Sequence, residues 1–153
     1  MGEPLYREAR REDVPGIVAL LADDILGAGR EAASGGTVPD AYWRAFEAIA
    51  RDPNNELIVI ERDGALAGCL QITWIPGLSR GGAERCQIES VRVAAQERGS
   101  GLGKALFVWA IERARARGCG LVQLTSDKQR ADAIRFYESL GFTASHEGMK
   151  LSL

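Results

Sequence analysis

Between Val91 and Lys104 the chain reads Val-Arg-Val-Ala-Ala-Gln-Glu-Arg-Gly-Ser-Gly-Leu-Gly-Lys. A strand-like run enters a turn with glycine at positions 99, 101 and 103, and a long helix-like segment leaves it. Glycine permits positive φ and lacks the Cβ that obstructs close backbone approach. Several N–H groups can then converge on one anion at a helix start, where the macrodipole adds its own attraction. Arg98 and Lys104 flank the turn and bring positive charge to it. A pyrophosphate fits this pattern. Two familiar phosphate motifs fail on spacing. A Gly-x-Gly-x-x-Gly count from Gly99 ends on Lys104, and from Gly101 on Leu106. A P-loop count puts Arg98 where its first glycine belongs and Ala105 after the lysine. By itself the turn is also compatible with a strand-to-helix corner that binds nothing.

The rest of the composition narrows the setting. The chain has 153 residues, and they fit a single domain spanning 1–153. A formal charge of −2 supplies no global field toward nucleic acid or an anionic membrane, so an anion site must be local. The apolar runs Ala105–Ile111 and Ile17–Ala22 are too short to cross a bilayer, and the N-terminus carries no signal-like stretch. Cys69, Cys86 and Cys119 are odd in number and widely spaced, which reads as reduced interior thiols rather than disulfides or a metal site. The expected compartment is the cytoplasm.

Periodicity organises the chain. Leu5–Ala9 alternates as a first strand, and Glu12 to about Ile25 has helical spacing with Pro15 in its first turn. A Gly/Ser-rich loop runs to Thr37, and a second helix opens at Pro39-Asp40 with Tyr42, Trp43, Phe46 and Ile49 as its stripe. Leu57–Glu61 and Leu66–Ile75 flank Asp63-Gly64, a hairpin signal. Gly77–Ala83 is a loop and Cys86–Val93 a strand. Leu102–Arg117 is a long helix closed by Gly118, Leu121–Thr125 a strand, and Ala131–Leu140 a helix ended by Gly141. Phe142–Leu153 is expected to supply one or two closing strands. The order predicts an α/β (α+β) fold, a mixed sheet with helices on its faces.

Arg98-x-x-Gly101-x-Gly103 resembles the acetyl-coenzyme A signature of the GNAT N-acetyltransferase superfamily; Gln96-x-x-Gly99-x-Gly101 fits the same pattern two residues earlier. The run Ala133-Ile134-Arg135-Phe136-Tyr137-Glu138-Ser139-Leu140-Gly141-Phe142 resembles that superfamily's second hallmark. The resemblance implies the acyl-CoA N-acyltransferase fold: a mostly antiparallel sheet of six to seven strands flanked by about four helices. It implies acetyl-CoA as co-substrate, without a metal, and direct acetyl transfer to a primary amine in a ternary complex. The backbone of Gly99, Ser100, Gly101, Leu102, Gly103 and Lys104, with Arg98 beside them, would hold the pyrophosphate. Val91, Arg92 and Val93 would pair with the pantetheine arm.

The resemblance further implies that Tyr137 is the general acid for the departing thiolate; a phenol of pKa near ~10 matches a thiolate of similar basicity. Glu89, alternating with Gln87 and Val91, is the candidate base, expected to be a partly buried carboxylate. Gln87 could instead position a water. Many members carry Asn at the position of Arg130, so Arg130 is a departure that would grip a phosphate or an acidic group. His146, the only histidine, reads as an exposed turn residue. The acceptor is expected among small-molecule amines rather than proteins, with no nucleic acid or membrane partner and a homodimer allowed. Asp23, Asp24, Arg30 and Glu31 lie in the loop expected to meet it, and Tyr42, Trp43 and Trp74 are candidate walls. Two other readings of the turn are a non-catalytic acyl-CoA sensor and a nucleotide-binding domain.

Overall fold

The alternation of apolar side chains along four consecutive strand segments produces one sheet with two faces of different character. The computed structural model describes residues 1–23, 27 and 37–153, in two compact units, Met1–Gln123 and Leu124–Leu153.

In the first unit the strands are β1 (Leu5–Glu8), β2 (Asn55–Arg62), β3 (Ala65–Ile75), β4 (Arg85–Val93) and β5 (Leu121–Gln123), adjacent in that order. All neighbours are antiparallel except β4 and β5, which run parallel. The helices of this unit are α1 (Val14–Ala22), α2 (Asp40–Arg51), the short turn α3 (Ser79–Gly82) and α4 (Leu102–Arg117). The mixed, mostly antiparallel α/β architecture is the expected one. The sheet has five strands among the described residues, fewer than the six to seven expected.

One face carries Ile58, Ile60, Leu70, Ile72, Trp74, Cys86 and Ile88, all nearly or wholly buried. Helix α4 covers it with Leu102, Leu106, Ala110 and Ala114, spaced four apart so that they share a stripe. The small alanines let the helix approach the sheet closely. Trp109 of α4 stacks on Tyr6 of β1 at 4.8 Å, and Arg117 lies 4.5 Å over the Trp74 ring. Arg113 forms a two-pronged pair with Glu56, at 2.8 and 2.5 Å. Part of the opposite face is covered by α1, whose Ile17 packs with Val59 and Cys69. Cys69 and Cys86 are buried free thiols whose pKa burial pushes up to about 12.

Local signals account for most boundaries. Pro15 sits in the first turn of α1, and Asp13 accepts the Arg10 N–H at 2.6 Å at its entry. Arg7 grips Asp13 and Glu61, and its guanidinium holds the Asp13 carboxyl below the usual carboxylate range. Asp63 and Gly64 have φ of 53° and 78°, the paired positive values of a tight hairpin. The first helix ends at Ala22 with Asp23 as its C-cap, short of the predicted Ile25, and residues 24 and 25 lie outside the described residues.

The second unit contains α5 (Ala131–Ser139). Its last turn is closed by Phe142 N–H donating to the Tyr137 carbonyl at 3.1 Å. The closing strands expected over Phe142–Leu153 are absent there. A strand needs a ladder partner, and this unit contains no other strand; Met149, Leu151 and Leu153 are instead exposed. No helix of the described residues is long and apolar enough to cross a membrane.

Candidate active site

Three neighbouring features of the first unit lie along β4 and the segment that follows it: an irregular strand, an edge that β5 accompanies only in part, and the glycine turn. The irregularity is a β-bulge. Cys69 pairs with Arg92 while Gln71 pairs with Glu89, so β4 spends one more residue than β3 over this stretch. Ser90 has φ 55°, an uncommon value for a residue with a side chain. Close approach of the two strands needs the glycine at 68, where a Cβ would come within 2.7 Å of the Arg92 carbonyl oxygen. The bulge corrects the simple alternation. Gln87 and Glu89 share a face, but Val91 does not continue it; Arg92 does.

β5 accompanies β4 only over Arg85–Gln87 and ends at Gln123. Among the described residues, the β4 edge beyond Gln87 has no strand partner on that side. Val91, Arg92 and Val93, expected to bind by their backbone, lie beyond the residues that β5 accompanies, and the Val91 carbonyl accepts from Arg92 Nη1 at 2.9 Å.

The turn follows. Ala95–Glu97 is one turn of 3-10 helix, Gly99 and Gly101 have φ of 80° and 85°, and α4 begins at Leu102. The turn is tied to itself from within. Ser100 N–H and Oγ donate to the Glu97 carbonyl at 3.1 and 2.6 Å, and Leu102 N–H donates weakly to Ser100 Oγ at 3.4 Å. Ala105 N–H bonds to Gly101. Among the described residues, the N–H groups of Gly99, Gly101, Gly103 and Lys104 have no acceptor. Of the six backbone groups singled out from sequence, four are thus available and two are spent holding the turn.

Sequence reasoning missed the element that anchors this turn. Glu97 is buried, and Arg62 at the end of β2 donates to its carboxylate at 2.5 Å, with both side chains about nine-tenths covered. The pair joins residues 35 apart, and no local pattern announces it. The Arg98 side chain does not lie free beside the turn; it donates to the Asp23 carboxylate and carbonyl at 3.1 and 3.2 Å. Lys104 is exposed.

The turn's conformation predicts opposite results for two alanines. Gly101→Ala must hold a Cβ at φ 85° and should lose about 1–2 kcal/mol. Gly103→Ala meets Val93 only at 3.9 Å and gains helix propensity, so it should unfold no earlier than the parent. Thermal unfolding of the two proteins checks the contrast.

Glu89 is exposed rather than partly buried, and its nearest polar contact is Thr73 Oγ1 at 3.5 Å. Trp74, a candidate pocket wall, is 2% exposed on the α4 face and is core. Trp43 lies beneath Arg11 at 4.5 Å. Asp24, Arg30 and Glu31 fall outside the described residues. In the second unit, Arg130 stands at the start of α5 and Tyr137 on its last turn, half-buried against Phe136 and Phe142 at ring distances of 5.6 and 6.1 Å. His146 is exposed, with Ser145 Oγ 2.6 Å from its Nδ1.

Comparison with known proteins gives this arrangement a family. Residues 10–142 match the acetyltransferase (GNAT) family. A glucosamine 6-phosphate N-acetyltransferase from Trypanosoma brucei brucei is 39% identical over 90 residues, 59% of this chain and 59% of that protein. An aminoalkylphosphonate N-acetyltransferase from Salmonella typhimurium is 28% identical over 149 residues, covering 92% of this chain and 85% of that one. A crystal structure from Bacillus halodurans C-125, described as a transcriptional regulator, superposes with a TM-score of 0.94 at 50% identity, covering 99% and 100% of the two chains. With a family match over most of its length, and a fold shared end to end with a solved relative, the chain belongs to the acetyltransferase (GNAT) family.

Proposed function

We propose that this acetyltransferase uses acetyl-CoA to acetylate the primary amine of a small molecule. The observation that carries the reading is the set of four acceptor-less N–H groups at the start of α4, directly after the stretch of β4 that β5 does not accompany. Such a cradle fits a diphosphate at a helix N-terminus, and the edge fits an extended amide-bearing arm that adds to a sheet. The names of the Trypanosoma and Salmonella relatives favour a small-molecule amine as acceptor.

Acetyl-CoA, when bound, supplies the activated acyl group. The chain then has two protons to manage. An ammonium cannot attack a thioester, so the amine must first lose a proton, and Glu89 of β4 is assigned to receive it, directly or through a water. The nitrogen forms its bond to the acyl carbon as the carbon–sulfur bond breaks, the Tyr137 hydroxyl gives a proton to the departing thiolate, and the second proton that the nitrogen sheds in becoming an amide passes through water to restore that hydroxyl. Arg130 is assigned to an anionic group of either substrate.

Following free thiol release from acetyl-CoA across a panel of amines tests the reading. Release with at least one small amine is expected. Tight acetyl-CoA binding with no release for any amine would instead identify a sensor, and binding of ATP or NAD but not coenzyme A would identify a nucleotide domain. Glu89→Gln should lower kcat/KM by about 10²-fold at most, because an exposed site lets water substitute for the base. A kcat/KM within threefold of the parent would remove Glu89 from the mechanism.

A further inference from the structure

The face of the sheet that carries Glu89 holds an unusual row. Asn55 pairs with Thr73, Thr73 with Gln87, and Gln87 with Gln123, so four polar side chains stand side by side across β2, β3, β4 and β5. Gln71 pairs with Glu89 in the next row. These positions are half-buried, apart from the exposed Glu89. Further along the same face the sequence returns to Val59 and Cys69 beneath α1. Asparagine and glutamine are poor strand residues, and half-buried amides contribute little unless something uses their hydrogen bonds.

The side chains are held in place. Thr73 Oγ1 and Gln71 Nε2 both donate to Asn55 Oδ1, at 2.8 and 3.1 Å, and Asn55 Nδ2 donates to Asp52 at 2.8 Å. Gln123 Nε2 donates to Gln87 Oε1 at 2.9 Å, and Arg85 donates to Gln123 Oε1 at 3.1 Å. Capacity is left over. Among the described residues, neither the Gln87 amide NH2 nor the Gln71 carbonyl oxygen has a hydrogen-bond partner. One therefore presents a donor and the other an acceptor, about 7 Å apart along the sheet direction from Gln87 to the row of Glu89.

A hydroxyl group both donates and accepts, and adjacent amide donors and acceptors are the complementary surface for several hydroxyls on one small ring. From this juxtaposition we infer that the acceptor is a polyhydroxylated primary amine. Gln87 and Gln71 read its hydroxyl groups while its amine sits at Glu89. An alkyl amine, by contrast, would leave these amides desolvated and unpaired, which is how a polar site rejects a ligand lacking the matching groups. The inference rests on the proposed amine acetylation for its placement of the amine, and on the row itself for the ligand class.

Calorimetric binding to the full chain, saturated with coenzyme A, tests it with two six-membered-ring amines, glucosamine and cyclohexylamine. The parent protein is expected to prefer glucosamine by at least about tenfold, a margin of roughly 1.4 kcal/mol. Gln87→Leu should erase most of that preference while cyclohexylamine binding stays the same or improves. Thr73→Val, which frees Asn55 from one of its bonds, should weaken glucosamine several-fold and serves as a second variant if Gln87→Leu fails to fold. Equal binding of the two amines by the parent, no glucosamine binding at all, or full retention of the preference in both variants overturns the inference. Acetyl-CoA affinity, measured on the same proteins, separates this outcome from failure of the acetyltransfer reading: a parent that prefers glucosamine but binds no acetyl-CoA sinks only the latter.

Discussion

Arg62→Met is expected to cost about 3–5 kcal/mol of stability, because it leaves the buried Glu97 carboxylate without its cation. At this chain length that corresponds to a fall in Tm of roughly 10 °C, readable by thermal or urea unfolding. The loss should come with weaker acetyl-CoA binding, since Glu97 also carries the carbonyl to which Ser100 ties the glycine turn. Adding Glu97→Gln to the same protein removes the stranded charge, and stability should recover by at least half. The two readouts then separate. A carboxylate whose only duty was structural would restore stability and binding together, whereas a turn held in register by the ion pair would regain stability first. A single-variant loss below about 1 kcal/mol would show that the pair behaves as a solvated surface bridge.

Tyr137→Phe is expected to lower kcat by about 10²-fold or more while leaving KM for acetyl-CoA nearly unchanged. The phenylalanine keeps the edge contacts with Phe136 and Phe142, so α5 should remain folded and circular dichroism should match the parent. The asymmetry follows from the proposed role of the hydroxyl, whose proton is called for only as the carbon–sulfur bond breaks and not while the co-substrate binds. A kcat within threefold of the parent would take Tyr137 out of the reaction and leave it a packing residue.

How much of this was legible in the sequence depended on how local each feature is. The glycine turn, the Asp63-Gly64 hairpin and the span of α4 follow from residues within one or two turns of each other, and all three stand where expected. The bulge did not show itself. Ser90 is not a residue that advertises a positive φ, so the alternation Gln87-Glu89-Val91 looked regular when it is broken after Glu89. The Arg62–Glu97 pair and the polar row were invisible for a deeper reason. They depend on register between strands and turns 14 to 36 residues apart, and periodicity within a segment says nothing about which row of its neighbour it will face. The expected closing strands failed in the opposite way. Met149-Lys150-Leu151-Ser152-Leu153 alternates, but a strand exists only when something pairs with it.

The short run of β5 beside β4 has a consequence for the chain's solubility as well as for its chemistry. Past Gln87 no strand among the described residues accompanies β4 on that side, and an edge of this kind is a template that another copy of the chain could complete by edge-to-edge addition. Proteins that keep such an edge open must discourage the wrong visitor. This stretch is not the uniformly apolar ribbon that promotes self-association: it carries Glu89 and Arg92 on one face and a kink at Ser90 between them. Two opposite charges and a twist make a poor template for a second flat strand, yet they leave the edge open to a slender, flexible guest.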